Sequence, residues 1–255
     1  MSQRGPNFFI VGATKAATTS LSSLLEAHPQ AAIVRFKEPH FFSFDDCYAE
    51  GWSKYLELFA HVSDETAIGD ASTSYSRVRY HPRVIRRIQR HVPDAKIIYM
   101  VRHPIERMES AYVERISREG GMATSINDAI RRNPMIVDSS RYWEVFDAYR
   151  KAFGEDRIRI VWFEEYIANQ KAVFQDVCQF LEIDDQCEPN LAAEGRNSRD
   201  DAALLLARTR KGGGLPWNMG WEEDLRRQVI AQIRDDNLRF LAHFGRPANY
   251  WGDLF

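Results

Sequence analysis

Three short segments of the chain carry side chains that could act on an anion or a hydroxyl group. The first is the small-residue run at 13–20 (ATKAATTS), which follows an apolar run ending at Gly12. A strand, a loop and a helix in this order bind anions, because backbone N–H groups at the helix N-terminus face the ligand. The spacing departs from the Walker A pattern, which needs a glycine at position 17 and a lysine at position 18. The loop therefore predicts phosphate binding without the usual Mg²⁺–triphosphate residues; a plain strand-to-helix turn with a solvated Lys15 is the alternative.

The second segment is Lys37-Glu38-Pro39-His40. Glu38 and His40 lie two residues apart, so in an extended segment both side chains project to the same side. A carboxylate and an imidazole that face one cleft can remove the proton of a hydroxyl group. A surface turn with a capping glutamate and a packed histidine is the alternative.

The third segment follows residues 95–101 (AKIIYMV), the clearest buried strand in the sequence. Ligands of open parallel sheets bind beyond the carboxyl ends of the strands, so we expect Arg102 at the same edge as Lys15. Ser110 lies about two turns into the helix that follows and could offer its hydroxyl to the same anion.

Strands and helices alternate around these segments. Strand-like runs occur at 7–11, 31–34, 67–69, 95–101 and 157–163. Helical periodicity occurs at about 21–28, 52–59, 82–91, after 104, and at about 124–132, 139–152, 165–181 and 222–243. This alternation predicts an α/β protein whose central, mainly parallel sheet is flanked by helices, with a P-loop-like, phosphate-binding strand–loop–helix. No repeat is visible and the linker-like stretch at 211–216 (KGGGLP) is followed by too little chain to fold alone, so one domain over 1–255 is expected.

Composition excludes several classes of protein. The chain has 255 residues, 44% of them hydrophobic, and its 34 Lys and Arg against 36 Asp and Glu give a net charge of −2. These values are typical of a globular protein with a sizeable core and argue against a nucleic-acid binder. No stretch approaches the roughly 18 apolar residues of a membrane helix, and the N-terminus does not resemble a signal peptide. Cys47, Cys178 and Cys187 form neither a metal-ligand spacing nor a paired framework, so reduced thiols and a cytoplasmic location are expected.

Positive charge is concentrated in one part of the chain. Ten Lys and Arg stand against four Asp and Glu between Arg77 and Arg115. Four arginines recur there at helical spacing: Arg83, Arg86, Arg87 and Arg90. This stripe could hold an acidic glycan, or it could be the solvated face of a helix.

Taken together, the motifs resemble the sulfotransferases that use 3′-phosphoadenosine 5′-phosphosulfate (PAPS). The resemblance is carried by residues 15–20 (KAATTS), by 37–42 (KEPHFF) and by Arg102 with Ser110. Their order and spacing are closer to the heparan sulfate sulfotransferases and their bacterial relatives than to the cytosolic phenol and steroid enzymes. Residues 69–75 (GDASTSY) are similar to a further family segment, usually Glu-x-Ser/Thr-Pro-x-Tyr, and 236–251 resembles the family's ending. Alanines stand at 16 and 17, where the family usually has glycine.

The resemblance implies how the donor is bound. The 5′-phosphosulfate would be held by Lys15, Ala17, Thr18, Thr19 and Ser20. Arg102 and Ser110 would bind the 3′-phosphate, which distinguishes this donor from ATP. A late loop would close over the nucleotide, with Arg199 as its expected contact and Arg210-Lys211-Gly212 as the rival.

The resemblance also implies the reaction. A sulfuryl group would pass by in-line displacement to a hydroxyl, or an amine, of a small-molecule, lipid or carbohydrate acceptor, leaving adenosine 3′,5′-bisphosphate (PAP). Glu38 would be the general base and His40 an assistant or the alternative base. Lys15 would stabilise charge on the bridging oxygen, and no metal is required.

Two other classes share parts of this pattern. A P-loop nucleotide kinase or hydrolase has the same strand–loop–helix start, but the early Lys15 and the pair of Arg102 with Ser110 argue against it. A non-catalytic nucleotide-binding protein of the same fold is the second alternative. The acceptor and the oligomeric state stay open at this point.

Overall fold

The chain forms two compact units in a computed structural model that describes residues 4–35, 38–119, 125–187 and 218–255. The first unit comprises Met1–Arg102 and Val145–Leu191, and the second comprises His103–Glu144 and Ala192–Phe255. Every described strand that belongs to a sheet lies in the first unit. The single domain expected over 1–255 stays a prediction.

A five-stranded sheet forms the centre of the first unit. Its strands are β1 (Phe8–Gly12), β2 (Ala31–Ile33), β3 (Ala67–Asp70), β4 (Lys96–Val101) and β5 (Ile158–Trp162). They lie in the order β2-β3-β1-β4-β5, and each neighbouring pair is parallel. The central strands β1 and β4 are apolar and almost wholly buried, as strands covered on both faces must be. The predicted parallel α/β architecture is confirmed.

Helices connect the strands, and most begin and end within three residues of the predicted positions. In chain order they are α1 (Thr18–Glu26), α2 (Asp45–Ala49), α3 (Trp52–Leu56), α4 (Val84–His91), α5 (Pro104–Glu119), α6 (Ile126–Arg132), α7 (Met135–Asp138), α8 (Tyr142–Phe153), α9 (Phe163–Ala168), α10 (Gln170–Leu181) and α11 (Glu223–His243). The sequence does not predict α2 and α7, because segments of five and four residues are too short to display helical periodicity.

The single long helix predicted over about 165–181 is wrong. The segment forms two helices, since α9 ends at Ala168 and α10 begins at Gln170. Asn169 between them has an extended φ of −150°, and its side-chain oxygen accepts the N–H of Ala172 at 3.2 Å. Asparagine is among the strongest N-cap residues, so its capping bond ends one helix and starts the next.

Aromatic side chains anchor the chain between β2 and β3. Phe41 and Phe42 are 4% and 0% exposed, and the Phe41 ring stacks on Tyr55 with centroids 4.3 Å apart. On the sheet itself, Phe8 lies across Gly69, where an added Cβ would come within 2.3 Å of the ring. The two phenylalanines fix the position of the residues just before them, which are the predicted acid–base pair.

The second unit contains α5, α6, α7 and α11 with buried polar links. Arg107 on α5 is 1% exposed; its Nε donates to Ser140 Oγ at 2.6 Å, and a second nitrogen donates to the carbonyl of Ile136. Asn237 donates to the Ser140 carbonyl at 2.8 Å, and Asp236 accepts two backbone N–H groups at the start of α8. Asp236 and Asn237, which begin the segment 236–251 that resembles the family's ending, therefore make structural hydrogen bonds. None of the described helices is long and apolar enough to cross a membrane.

Candidate active site

The strands of a parallel sheet all end at one edge, and the residues that follow them form the candidate site. After β1 comes the β1–α1 loop, residues 13–17. After β2 comes the acid–base segment, residues 38–40. After β3 comes the hydroxyl triplet, which is Ser72, Thr73 and Ser74. Arg102 follows β4, and Phe163 follows β5.

The β1–α1 loop has an unusual backbone. Lys15 and Ala17 have φ values of 72° and 67°, a left-handed conformation that costs a non-glycine residue about 1–2 kcal/mol. Backbone hydrogen bonds hold it: the N–H of Ala13 donates to Met100 O at 2.6 Å, and the N–H of Ala16 donates to Ala13 O at 3.1 Å. Strain of this kind persists only where the surroundings fix it, and it is concentrated at functional sites.

The N-terminus of α1 fits an external anion. Its N-cap is Ala17, which makes no side-chain capping bond, and the first turn holds no acidic residue. The first N–H groups of a helix have no partner within the helix, and an alanine cannot cap them. Thr18 and Thr19 begin the helix, as the phosphate-loop interpretation requires, whereas the Ser20 hydroxyl lies 2.6 Å from that of Tyr166.

Arg102 joins the loop from the end of β4. Its guanidinium carbon lies 4.2 Å above the ring of Phe163, and one of its nitrogens is 3.4 Å from the carbonyl of Lys15. Arg102 and the β1–α1 loop therefore meet at one sheet edge, as predicted. The cation is held against an aromatic face, an attractive arrangement that also restricts its orientation.

The remaining predicted contacts of the donor are Ser110 and Arg199. Ser110 is half-buried on α5 in the second unit. Arg199 and the rival at 210–212 fall outside the described residues. The roles of these residues stay predictions.

The extended backbone predicted for the acid–base segment is wrong. Glu38 and His40 have φ values of 57° and 55°, so the segment is not extended, and an extended chain is not the reason that the side chains meet. They meet nonetheless, since His40 Nε2 lies 3.6 Å from Glu38 Oε2. Both side chains are about 30% exposed, which leaves them open to a substrate.

The hydroxyl triplet explains how this segment is held. Ser72 Oγ accepts the backbone N–H of His40 at 3.2 Å, and Thr73 donates its hydroxyl to Glu38 Oε1 at 3.1 Å. Ser74 Oγ lies 2.8 Å from His40 Nδ1. Three consecutive hydroxyl groups thus each bind one group of the acid–base segment. The sequence reasoning assigns these residues no role; their run within 69–75 is the signal that could have found them.

The electrostatics of the pair favour a neutral imidazole. Burial lowers the pKa of His40 by penalising its charged form; the Glu38 carboxylate opposes this effect and the positive charge of Arg77 adds to it. A neutral imidazole and a carboxylate can each accept a proton. The geometry therefore supports proton removal at this point by either group.

Arg77 is a site residue that the sequence reasoning missed. It follows the hydroxyl triplet by three residues, and its guanidinium donates to Thr14 Oγ1 in the β1–α1 loop at 3.1 Å. The same charge lowers the pKa of His40. Arg77 therefore lies within reach of both the loop and the acid–base segment.

The basic stripe lines a cavity of about 310 Å³ together with Tyr48: its residues are Arg83, Arg86, Arg87 and Arg90. Arg87 is 8% exposed, so it is not part of a solvated face. It pairs with Asp45, stacks 4.3 Å above Tyr48 and donates to the Phe42 carbonyl at 3.2 Å. Arg83, Arg86 and Arg90, which also line this arginine cavity, are exposed, and Arg83 shares Asp45 with Arg87.

The fold and the site together define a parallel α/β protein with a P-loop-like strand–loop–helix and a carboxylate–imidazole pair at the same edge of the sheet. The profile of the Sulfotransferase family matches residues 51–187, which is more than half of the chain. The chain belongs to the sulfotransferase family. The matched range includes the hydroxyl triplet and Arg102 but begins after the β1–α1 loop and the acid–base segment.

Individual relatives extend this result. The chain is 33% identical over 138 residues to human heparan sulfate glucosamine 3-O-sulfotransferase 6, an alignment that covers 54% of this chain and 39% of that enzyme. It is 33% identical over 110 residues to the membrane-associated sulfotransferase kil1 of Dictyostelium discoideum, covering 42% and 22%. The chain thus matches less than half of the length of either curated relative.

A solved structure matches nearly the whole chain. The sulfotransferase from Alicyclobacillus acidocaldarius superposes with a TM-score of 0.76 and 28% sequence identity, covering 97% of this chain and 99% of that one. This likeness covers far more of the chain than the family profile, which matches residues 51–187.

Proposed function

We propose that this protein transfers a sulfuryl group from PAPS to a hydroxyl, or an amine, of an acceptor. One observation carries the proposal: a helix N-terminus without a side-chain cap and the Glu38–His40 pair lie at the same sheet edge in a member of the sulfotransferase family. The first can hold the phosphosulfate, and the second can activate the acceptor.

The reaction is an in-line displacement at sulfur. The acceptor oxygen forms a bond to sulfur while the bond from sulfur to the 5′-phosphate oxygen breaks. The electron pair of that bond stays on the phosphate, which leaves as PAP, and the acceptor proton goes to Glu38. Lys15 stabilises the charge that grows on the leaving oxygen, and preorganised electrostatic help of this kind is often the largest catalytic contribution. His40 orients the acceptor or serves as the base in place of Glu38.

The donor is held by the β1–α1 loop, by the first turn of α1 and by Arg102. The half-buried Arg102 guanidinium, which stacks on Phe163, supports binding of the 3′-phosphate. Ser110 and Arg199 are further proposed contacts of the nucleotide. The hydrogen bond from Arg77 to Thr14 in the β1–α1 loop supports a role for Arg77 in compensating negative charge on the sulfuryl oxygens.

For the acceptor we propose a carbohydrate that carries anionic groups. The human relative is a heparan sulfate glucosamine 3-O-sulfotransferase, and the arginine cavity offers a basic surface that is joined by a hydrogen bond from Arg87 to Phe42, two residues after the acid–base segment. A small-molecule or lipid acceptor is the alternative, and neither needs the exposed arginines.

The test measures transfer of radiolabelled sulfate from PAPS to heparan sulfate, to an uncharged polysaccharide, to a phenol and to a hydroxylated lipid. We expect transfer to heparan sulfate, and a raised KM for it in Arg86→Ala/Arg90→Ala. The control Arg226→Ala/Arg227→Ala removes two exposed charges from α11 and should leave KM unchanged. Transfer to the phenol or lipid alone would replace the carbohydrate by that acceptor class. Tight binding of ATP with Mg²⁺ and none of PAP would favour a kinase or hydrolase instead.

A further inference from the structure

Asp70, the last residue of β3, lies beneath the acid–base segment and has no role in the reaction described above. It is 0% exposed, and three hydroxyl groups donate to its carboxylate: Ser72 to Oδ1 at 2.7 Å, and Tyr55 and Tyr75 to Oδ2 at 2.6 and 2.7 Å. A buried carboxylate is costly unless it is fully hydrogen-bonded. Three aligned donors around one buried acid are therefore a specific arrangement that calls for a physical reason.

Two of the three donors continue to the acid–base region. The Ser72 hydroxyl donates a hydrogen bond to Asp70, so its oxygen can accept the backbone N–H of His40 at 3.2 Å. The Tyr75 hydroxyl likewise donates a hydrogen bond to Asp70, and its oxygen is 3.5 Å from the backbone nitrogen of Phe42. Asp70 thus orients two hydroxyl groups: that of Ser72 faces the backbone N–H of His40 in the acid–base segment, and that of Tyr75 faces the backbone N–H of Phe42, two residues after it.

The third donor differs from the other two. The Tyr55 hydroxyl donates to Asp70, and its ring stacks on Phe41 within the aromatic core. It passes no hydrogen bond to the acid–base segment. Tyr55 therefore offers a matched control, because Tyr55→Phe removes one donor from the same carboxylate and keeps the ring stack.

Backbone strain shows why such an anchor is needed. Five non-glycine residues in the described part of the chain have a positive φ, and four of them are Lys15, Ala17, Glu38 and His40. Each such conformation is unfavourable for a residue other than glycine and persists only when several contacts fix it. Ser72 accepts a hydrogen bond from the backbone N–H of His40 itself. Its oxygen is oriented as an acceptor because its own O–H donates to Asp70.

We propose that Asp70 is a positioning residue of this active site, which holds the Glu38–His40 pair in its strained, reactive conformation through Ser72 and Tyr75. The kinetic consequence rests on the proposed sulfuryl transfer. The conformational consequence does not, and it can be measured in the absence of any reaction.

The experiment compares Asp70→Asn, Ser72→Ala and Tyr55→Phe in the full chain. We expect Asp70→Asn and Ser72→Ala each to lower kcat by about tenfold or more with the KM for PAPS unchanged, since small misplacements of reacting groups have effects of this size. Both should also shift the imidazole NMR signals of His40, which are identified by their loss in His40→Ala. The pH titration of His40, whose charged and titratable neighbours are Glu38, Arg77 and His81, should change as well. Tyr55→Phe should lower the melting temperature while leaving kcat and the His40 signals as in wild type.

Two outcomes would overturn the inference. Wild-type kcat and His40 signals in a folded Asp70→Asn or Ser72→Ala would remove the positioning role. An equal loss of kcat in Tyr55→Phe would make the carboxylate a general structural element. If Asp70→Asn does not fold, Ser72→Ala decides, because it leaves Asp70 and both tyrosines in place. If wild type transfers no sulfuryl group, the proposed function fails, and the NMR comparison still decides the role of Asp70.

Discussion

The β1–α1 loop and the acid–base segment are two strained regions at the same sheet edge, and they are held in different ways. Each contains two non-glycine residues with left-handed backbone: Lys15 and Ala17 in the loop, Glu38 and His40 in the segment. The loop is fixed mainly by backbone hydrogen bonds, from Ala13 to β4 and within the turn itself. The segment is fixed by side-chain hydroxyl groups that follow a different strand, β3.

The difference concerns how each region responds to mutation. Backbone bonds remain when a side chain is shortened, so truncating Lys15 should remove its charge and leave the loop in place. Hydroxyl bonds do not remain, so the geometry of Glu38 and His40 should depend on residues more than 30 positions away in the sequence. Changes in the loop should therefore act on the ligand alone, and changes around the segment should also act on its conformation.

The largest effect is expected at the acid–base segment. Glu38→Gln keeps the shape and loses the proton acceptor, so kcat should fall by about 10²–10⁴-fold, with the affinity for PAP unchanged. His40→Ala should lower kcat less. Steady-state kinetics with matched PAP titrations make the comparison, and the reverse order, with His40→Ala nearly inactive and Glu38→Gln mild, would assign the base to His40.

Lys15 tests the loop. Lys15→Ala should lower kcat by about 10²–10³-fold, the range for loss of a charge-stabilising group, and should weaken PAP much less. Turnover and PAP affinity are measured on the same preparation. Normal turnover with only a raised KM for the donor would make Lys15 a ground-state contact.

Asp70 predicts a pH dependence of stability. Burial raises its pKa from the usual 3.8 to about 6, so the folded state holds this proton to a higher pH than the unfolded state does. The contribution of Asp70 to the free energy of unfolding is therefore full below pH 3.8 and falls, by about 3 kcal/mol, as the pH rises to about 6. Urea unfolding of wild type and Asp70→Asn across this range isolates the effect as a difference, while Asp236, whose pKa is also about 6, stays common to both. A constant difference between the two proteins would contradict the assignment.

The smallest effect is expected at Arg102, beside the loop. Arg102→Ala should weaken PAP by about 1.5–3 kcal/mol, the range for a hydrogen bond to a charged group. Adenosine 5′-phosphosulfate, which lacks the 3′-phosphate, should bind nearly as well as it does to wild type. Calorimetric titration of both ligands makes the measurement, and an equal loss for the two would place Arg102 elsewhere in the pocket.

The sequence by itself determined the architecture and one half of the site. Alternating strand and helix periodicity predicts a parallel sheet, and all ligand-binding loops of such a sheet share one edge. That rule brings Lys15 and Arg102 together without any knowledge of strand order, because every strand end lies at that edge. The β1–α1 loop could be found for a related reason: its strand, loop and helix are contiguous in the chain.

The tertiary structure alone decided the other half. The order β2-β3-β1-β4-β5 places the end of β3 beside that of β2, and this neighbourhood brings Asp70 and the hydroxyl triplet under Glu38 and His40. Strand order arises from packing over the whole sheet, so no local pattern encodes it. The left-handed backbone of Glu38 and His40 was also invisible in the sequence, since neither is a glycine that would signal it. It exists because hydrogen bonds from a distant strand stabilise a conformation that the local chain disfavours.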